Sequence, residues 1–360
     1  MDSWVEKAGE SIIVLLGAGA SAPQLPVSTE LTELVVGHLD TVYPVSDESN
    51  IGRTWHEVRR RLAGVTNIEE YFAAIDALSK RDTSISRFWV DEWAEFPSMS
   101  TDPAQPPTVQ YAAVLLAHQV RLTVMQILTA RSGAADVSYL RPLVSAPLQG
   151  IISTNYDLLI ERAADASGVQ YSTGAALWDG GIRWFNERHP EGALKLLKVH
   201  GSLNWRTSHE ITGSPLPILG IDEYSNGQRA PANVFAMDVS IFGLGNKLRS
   251  DRAYPALVRE IDELLVGAKL LVAIGSSFSD VHITEPIRRW AALNPGARII
   301  IVDPYRTHSL QPHTPLGELQ QGLWDGSGFG DEPGMVNHDR INRMRFVLKT
   351  ASEGIAELFG

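Results

Sequence analysis

Five consecutive large aliphatic residues, Ile12 to Leu16, run without a polar break into Gly17-Ala-Gly-Ala-Ser21. Such an unalternating run fits a strand buried on both faces, the parallel strand of an α/β sheet. Glycines one residue apart let the backbone turn tightly and come close to another group, as in turns that cradle phosphate. Ser28, followed by Glu30 and Glu33, predicts a capped helix with Leu31, Leu34, Val35 and Leu39 on one face. The result is a strand, a glycine turn and a helix. Ala22 holds the third glycine position of the dinucleotide fingerprint, which tolerates Ala; close strand-to-helix packing is the alternative use of the same glycines.

Short apolar runs with polar tips recur along the chain. Gly150-Ile-Ile-Ser-Thr154 ends in Asn155-Tyr-Asp157, and Lys195–Val199 ends in His200-Gly-Ser202. Leu270–Ile274 ends in Gly275-Ser-Ser277, and Arg298–Val302 in Asp303-Pro304. Five such strands predict an open parallel sheet with its ligand crevice at the carboxyl ends. Between the first two strands the character changes. Thr66 and Glu69 predict a capping box ahead of Ile68, Tyr71, Phe72, Ile75 and Leu78 at helical spacing. A proline-rich stretch, Phe96 to Pro107, then precedes a long helix over Val109–Ala130. Residues 45–144 therefore read as a mainly helical insertion, and 1–44 with 145–360 as the sheet domain. Trp55, Phe88, Trp89 and Trp93 belong to the core or an interface of that insertion. From about Asn204 to Leu257 the chain reads as loop-rich. The tail carries a Gly-rich loop at Gly326–Gly334, a strand candidate at Met344, Phe346 and Leu348, and a closing helix over Ser352–Phe359.

Forty-two acidic residues against thirty-one basic ones give a formal net charge of −11. That field repels polyanions and argues against nucleic acid or an anionic membrane as partner. The chain has no cysteine, which removes disulfides, thiol catalysis, Cys-ligated zinc and iron–sulfur clusters together. No basic segment followed by an apolar run opens the sequence, and His118, Gln119, Arg121 and Gln126 interrupt the long apolar helix, so a cytoplasmic protein is expected. His189, His200 and His209 are widely spaced and lack a carboxylate companion at ligand spacing, so no metal is expected.

In the order Gly17-Ala-Gly-Ala-Ser21, Thr154-Asn-Tyr-Asp157, His200-Gly-Ser202, Gly275-Ser-Ser277 and Val302-Asp303, the chain resembles the sirtuin-like NAD-binding family. The resemblance implies a Rossmann-type open parallel sheet that binds NAD+, with a small subdomain beside it. Gly17, Ala18, Gly19, Ala20 and Ser21 would then offer amides to the pyrophosphate, with Thr154, Gly275, Ser276 and Ser277 closing on the dinucleotide. Asp303 would accept from the adenosine ribose, or merely form a turn. Cleaving the bond between nicotinamide and ribose passes through an oxocarbenium-like state. His200 suits the base that takes a proton from water or a ribose hydroxyl, against the alternative of a satisfied strand-end histidine. Asn155 would hold water or ribose, and Asp157 would orient a neighbour, favour the developing positive charge, or simply cap a helix.

Phe278-Ser-Asp280-Val-His282 resembles a stretch of the bacterial defence branch of that family, which adds Asp280 to the NAD-binding set and leaves His282 without a role. One departure separates the chain from protein-deacetylating sirtuins. Those carry a zinc ribbon of two Cys-x-x-Cys pairs, which a chain without cysteine cannot build, and Ala22-Pro-Gln-Leu-Pro26 does not match their Gly-Ile-Pro-Asp-Phe-Arg loop. The helical insertion resembles instead the NAD-degrading effectors of anti-phage systems. This implies an NAD+ glycohydrolase with NAD+ as substrate and no metal, acting as a homo-oligomer with a HerA-type ATPase partner. The alternatives are an ADP-ribosyl or acyl-lysine transferase and a non-catalytic sensor of NAD or ADP-ribose.

Overall fold

The computed structural model describes residues 2–22, 24–79, 108–174, 176–177, 189–210, 218–223, 237–240, 254–305, 317, 319 and 343–360. The proline-rich stretch, Phe88, Trp89, Trp93 and the Gly-rich loop of the tail lie outside them. In chain order the elements begin with α1 (Ser3–Ala8), β1 (Ile12–Leu16), α2 (Ser28–Val42), α3 (Asn50–Arg61), α4 (Ile68–Ser79), α5 (Thr108–Ala134) and α6 (Arg141–Ser145). They continue with β2 (Gly150–Ser153), α7 (Leu159–Ser167), β3 (Tyr171–Ser172), β4 (Ala176–Leu177), β5 (Leu194–Lys198), β6 (Gly201–Glu210), β7 (Ile218–Glu223) and β8 (Met237–Ser240). The chain closes with α8 (Tyr254–Leu265), β9 (Leu270–Ile274), α9 (Val281–Leu293), β10 (Arg298–Val302), β11 (Met344–Val347) and α10 (Ala351–Phe359).

The chain divides into two compact units. The first comprises Met1–Gln24, Ala134–Ser240 and Leu248–Gly360, the second Leu25–Gly133 and Ile241–Lys247. The first unit is built on a seven-stranded sheet of order β11-β10-β9-β1-β2-β5-β3, parallel at every pairing. It is a Rossmann-type open sheet, and a chain without cysteine builds no Cys-ligated zinc ribbon beside it. Every residue of β1 and β9 is buried, as a strand covered on both faces requires. One face of the sheet packs Ile13, Leu15, Leu271 and Ala273 against Ile261, Leu264, Ile283, Ile287 and Trp290 of α8 and α9. From β1 the chain moves outward to β2 and β5, then returns to place β9 on the other side of β1. The strand order thus reverses between β1 and β9, the kind of point at which open α/β sheets leave a crevice outside the carboxyl ends.

A second, four-stranded sheet of order β4-β7-β6-β8 fills part of the region expected to be loop-rich. β6 pairs antiparallel with both β7 and β8. Leu203 and Trp205 alternate into the interior at its start, and the polar residues that follow conceal the strand from a reading of periodicity.

The second unit is helical. Leu39, Trp55, Tyr71 and Ile75 are fully buried. Trp55 donates its indole N–H to Asp40 at 2.9 Å and packs its ring 6.1 Å from that of Tyr71, so it is core and not interface. Two caps differ from expectation. Val27, not Ser28, stands at the N-cap of α2, and Asn67, not Thr66, accepts from the Glu69 amide ahead of α4. The Thr66 carbonyl instead accepts from the Thr32 hydroxyl. Among the described residues one helix, Gln110–Ala134, is long and apolar enough to cross a membrane by length and composition; 44% of its most apolar window is buried inside the protein.

Candidate functional site

At the reversal point the loop after β1 and the loop after β9 touch backbone to backbone. The Gly17 N–H donates to the Ile274 carbonyl and the Gly19 N–H to the Gly275 carbonyl, both at 3.0 Å. A Cβ on Gly19 would stand 2.7 Å from the Gly275 Cα, and one on Gly17 would collide with the Gly275 carbonyl. Gly275 itself adopts φ +59°, which disfavours any side chain. The three glycines therefore lock two loops together. The Ala20 and Ser21 amides bond back to the Gly17 and Ala18 carbonyls. Of the five amides expected to face a phosphate, four are committed within the chain. The Ala18 N–H is the one with no partner among the described residues.

Side chains from the end of β2 hold the same loop. The Asn155 amide donates to the Gly17 carbonyl at 2.9 Å and to Ser21 Oγ at 3.0 Å, which uses both of its hydrogens. The Ser21 hydroxyl donates to Asp157 Oδ2 at 2.7 Å, and Asp157 Oδ1 accepts from the Leu159 amide at 3.0 Å. Asp157 thus both orients Ser21 and turns the chain into α7. Thr154 donates its amide to the Leu16 carbonyl. On the far side the Tyr139 hydroxyl donates to the Ala20 carbonyl at 2.9 Å. Burial, with the Asp157 charge nearby, pushes that phenol well above its ordinary pKa and keeps it a donor. Beneath lies Lys198, fully buried, which donates to the Asp157 carbonyl and pairs with Glu161 at 3.2 Å. Burial pushes Glu161 upward and Lys198 opposes that shift.

His200 stands two residues past the end of β5 and is buried. In the sheet β5 lies three strands from β9, about 14 Å at ordinary strand spacing. Yet His200 Nε2 is 3.6 Å from the Asp280 carboxylate, so the segment after β9 reaches over the tips of β1 and β2. Asp280 is the N-cap residue of α9 but makes no side-chain cap bond. Its side chain is 28% exposed, against 4% for that of His200, so the histidine lies inside and the carboxylate is the nearer of the two to solvent. The His282 ring centroid lies 5.9 Å from that of His200, and the Tyr156 ring at 6.2 Å flanks it. His200, Asp280 and His282 each bring a ligand-type atom within 4.8 Å of the others. Phe278, between these loops, has φ +58°, the one positive value at a non-glycine among the described residues.

The other expected residues have local bonds. Ser276 Oγ accepts from the Phe278 amide, Ser277 shares a hydroxyl bond with Ser279 at 2.8 Å, and Asp303 accepts from the Tyr305 amide in a turn. Two histidines thought to lack carboxylate companions have them across long sequence separations: His200 faces Asp280, and His189 is 3.3 Å from Glu260 in a buried pair. His209 lies on β6, and its side chain is outside the described set. His282 had no role in the sequence reading; its place one residue beyond Val281 at the start of α9, beside Asp280, was the available signal.

The family model described as the SIR2-like domain matches residues 149–321, a little under half the chain. No curated protein matches. Among solved structures, one titled as a Sir2 homolog–NAD complex is 12% identical over all of this chain and 93% of its own, with a TM-score of 0.42. A Sir2 homologue mutant complexed with 2′-O-acetyl ADP ribose is 14% identical over all of this chain and 95% of its own, also at 0.42. A third, titled for the mechanism and regulation of Sir2 enzymes, is 11% identical over 99% and 96%, at 0.40. Likenesses this distant carry no chemistry across by themselves.

Proposed function

We propose that this chain is an NAD+ glycohydrolase that releases nicotinamide and ADP-ribose. The observation that carries the reading is a buried histidine at the tip of β5, 3.6 Å from Asp280, above strand tips that bear a locked glycine loop, Asn155 and Asp157. The SIR2-like match supports it, since 149–321 spans Asn155, Asp157, His200, Asp280 and Asp303. The Ala18 amide and the polar side chains at the crevice fit a dinucleotide, whose pyrophosphate needs local donors because the net charge of −11 repels it.

In the reaction the bond between nicotinamide and ribose breaks with its electron pair leaving on nicotinamide, and water adds to the ribose carbon. His200 accepts the proton that the attacking water loses. Asp280 keeps the imidazole oriented and favours positive charge nearby. Asn155 and Asp157 act at one remove, by fixing the loop through Gly17 and Ser21. The absence of cysteine favours hydrolysis over acyl-lysine transfer, whose enzymes build their small subdomain on a Cys-ligated zinc.

The finer part of the reading is a cytoplasmic, homo-oligomeric effector that depletes NAD+ in anti-phage defence alongside a HerA-type ATPase. Its support is the resemblance of the motif set and the helical insertion. The assay is free nicotinamide from pure protein and NAD+, with and without the ATPase, while ADP-ribose on protein is followed in parallel. Release that depends on His200 supports hydrolysis; ADP-ribosylated protein supports transfer, and binding with no release in any assembly state supports a sensor. A monomer by light scattering that turns over NAD+ at full rate unaided would remove the oligomeric effector.

A further inference from the structure

We propose that His200, Asp280 and His282 form a binding site for a borderline divalent cation of the zinc type, and that the ion holds the enzyme off. The inhibitory part rests on the function proposed above; the binding part does not. Two imidazoles and one carboxylate, with room for water or substrate at a fourth position, are the donor set of open zinc sites. Such a set suits Zn2+, Co2+ and Ni2+ and not Mg2+ or Ca2+, which take all-oxygen shells.

The spacing fits that chemistry. With bonds of about 2.0–2.1 Å in a tetrahedron, neighbouring donors stand about 3.4 Å apart. His200 Nε2 and Asp280 Oδ2 are 3.6 Å apart, and all three donor atoms lie within 4.8 Å of one another, so modest side-chain rotation closes the set. Two further features point to a held geometry. Asp280 stands at the N-cap of a thirteen-residue helix without capping it by its side chain, so its carboxylate is aimed elsewhere. The loop that delivers it carries the positive φ of Phe278, pinned by the Thr284 hydroxyl on the Phe278 carbonyl at 2.8 Å; strain of this kind persists where the surroundings enforce it, often at ligand sites. His200 is buried while Asp280 and His282 are partly exposed, which gives an ion an entry side.

An ion and a proton compete for the same imidazole lone pair. With Zn2+ on His200 Nε2, that nitrogen cannot accept a proton from water. The cation is then an inhibitor that chelation removes.

The test uses untagged full-length protein stripped with EDTA. Zn2+ titrated by calorimetry, and Co2+ followed by its visible absorption, should each bind at one ion per chain. His282→Gln should weaken both by at least about tenfold, as loss of a ligand requires, with an unchanged melting curve in EDTA. His282→Asn serves if the Gln variant folds poorly. Each form is compared with its own rate in EDTA: Zn2+ at a concentration that saturates the wild type should suppress nicotinamide release by the wild type strongly and by the His282 variant at least about tenfold less. Absence of stoichiometric Zn2+ binding, or equal binding by the variant, overturns the proposal, as does equal suppression of both. If neither form releases nicotinamide under any condition, the glycohydrolase reading and the inhibition fall, while the titrations still decide the cation site.

Discussion

The crevice edge of the first unit has two corners built on opposite principles. At one, the Gly17–Ser21 loop is closed on itself: glycine backbones touch at Gly275, and Asn155, Asp157 and Tyr139 hold what remains. At the other, His200 Nε2 stands 3.6 Å from the Asp280 carboxylate, and a ring nitrogen of His282 lies within 4.8 Å of both. The first corner is organised to keep its own shape. The second carries the side chains to which the proposed chemistry is assigned. Substitutions at the first corner should therefore cost stability as well as turnover, and those at the second turnover alone.

The largest effect should follow Gly275→Ala. A Cβ there carries a left-handed conformation and strikes the Gly19 backbone, so a loss of about 3 kcal/mol is expected, together with turnover. An unchanged melting temperature would break the first half of the comparison. His200→Ala should lower nicotinamide release by about a hundredfold, close to 2.7 kcal/mol of barrier, with the fold intact; a variant that unfolds but stays active while folded would invert the assignment. Asn155→Ala deletes the two bonds to Gly17 and Ser21. It should cost about 1–2 kcal/mol in urea unfolding, and turnover should fall as well, by up to about a hundredfold, through misplacement of the loop. Loss of turnover with no change in stability would move Asn155 to the chemical corner.

The smallest effect lies away from both corners. Glu223 is buried and accepts from Trp205 Nε1 and Thr173 Oγ1, and burial pushes its carboxyl above the ordinary 4.5. The folded state thus holds this proton more tightly than the unfolded one. Its contribution to stability is present below pH 4.5 and is lost as pH rises through the raised value. Glu223→Gln keeps an acceptor and removes the titration, so stability should decline less across that window. A profile identical to wild type by thermal melts at several pH values would show that the buried carboxyl does not set the slope.

What could be read in advance follows from how local each signal is. β9 and β10 match their apolar runs at both ends because buried parallel strands need nothing but apolar residues and a breaker. The polar tips after β1, β2, β5 and β9 were legible for the same reason. The contact of His200 with Asp280 was not, since it depends on a segment arching over two strands. Nor was the use of the loop amides, because Gly-Ala-Gly looks the same whether it faces a ligand or another glycine. Caps misread at Ser28 and Thr66 differ by one residue from the true ones, a matter of torsion that composition does not fix. The strand over Gly201–Glu210 was hidden by its own polarity.

β5 ends at Lys198 and β6 begins at Gly201, so His200 belongs to the two-residue joint between a parallel sheet and a mixed one. Val199 is tied to Ser153 on one side, and Gly201 is in register with Ser240 on the other. The imidazole therefore rides on a span of two residues anchored at both ends, too short to move far without pulling on one sheet or the other.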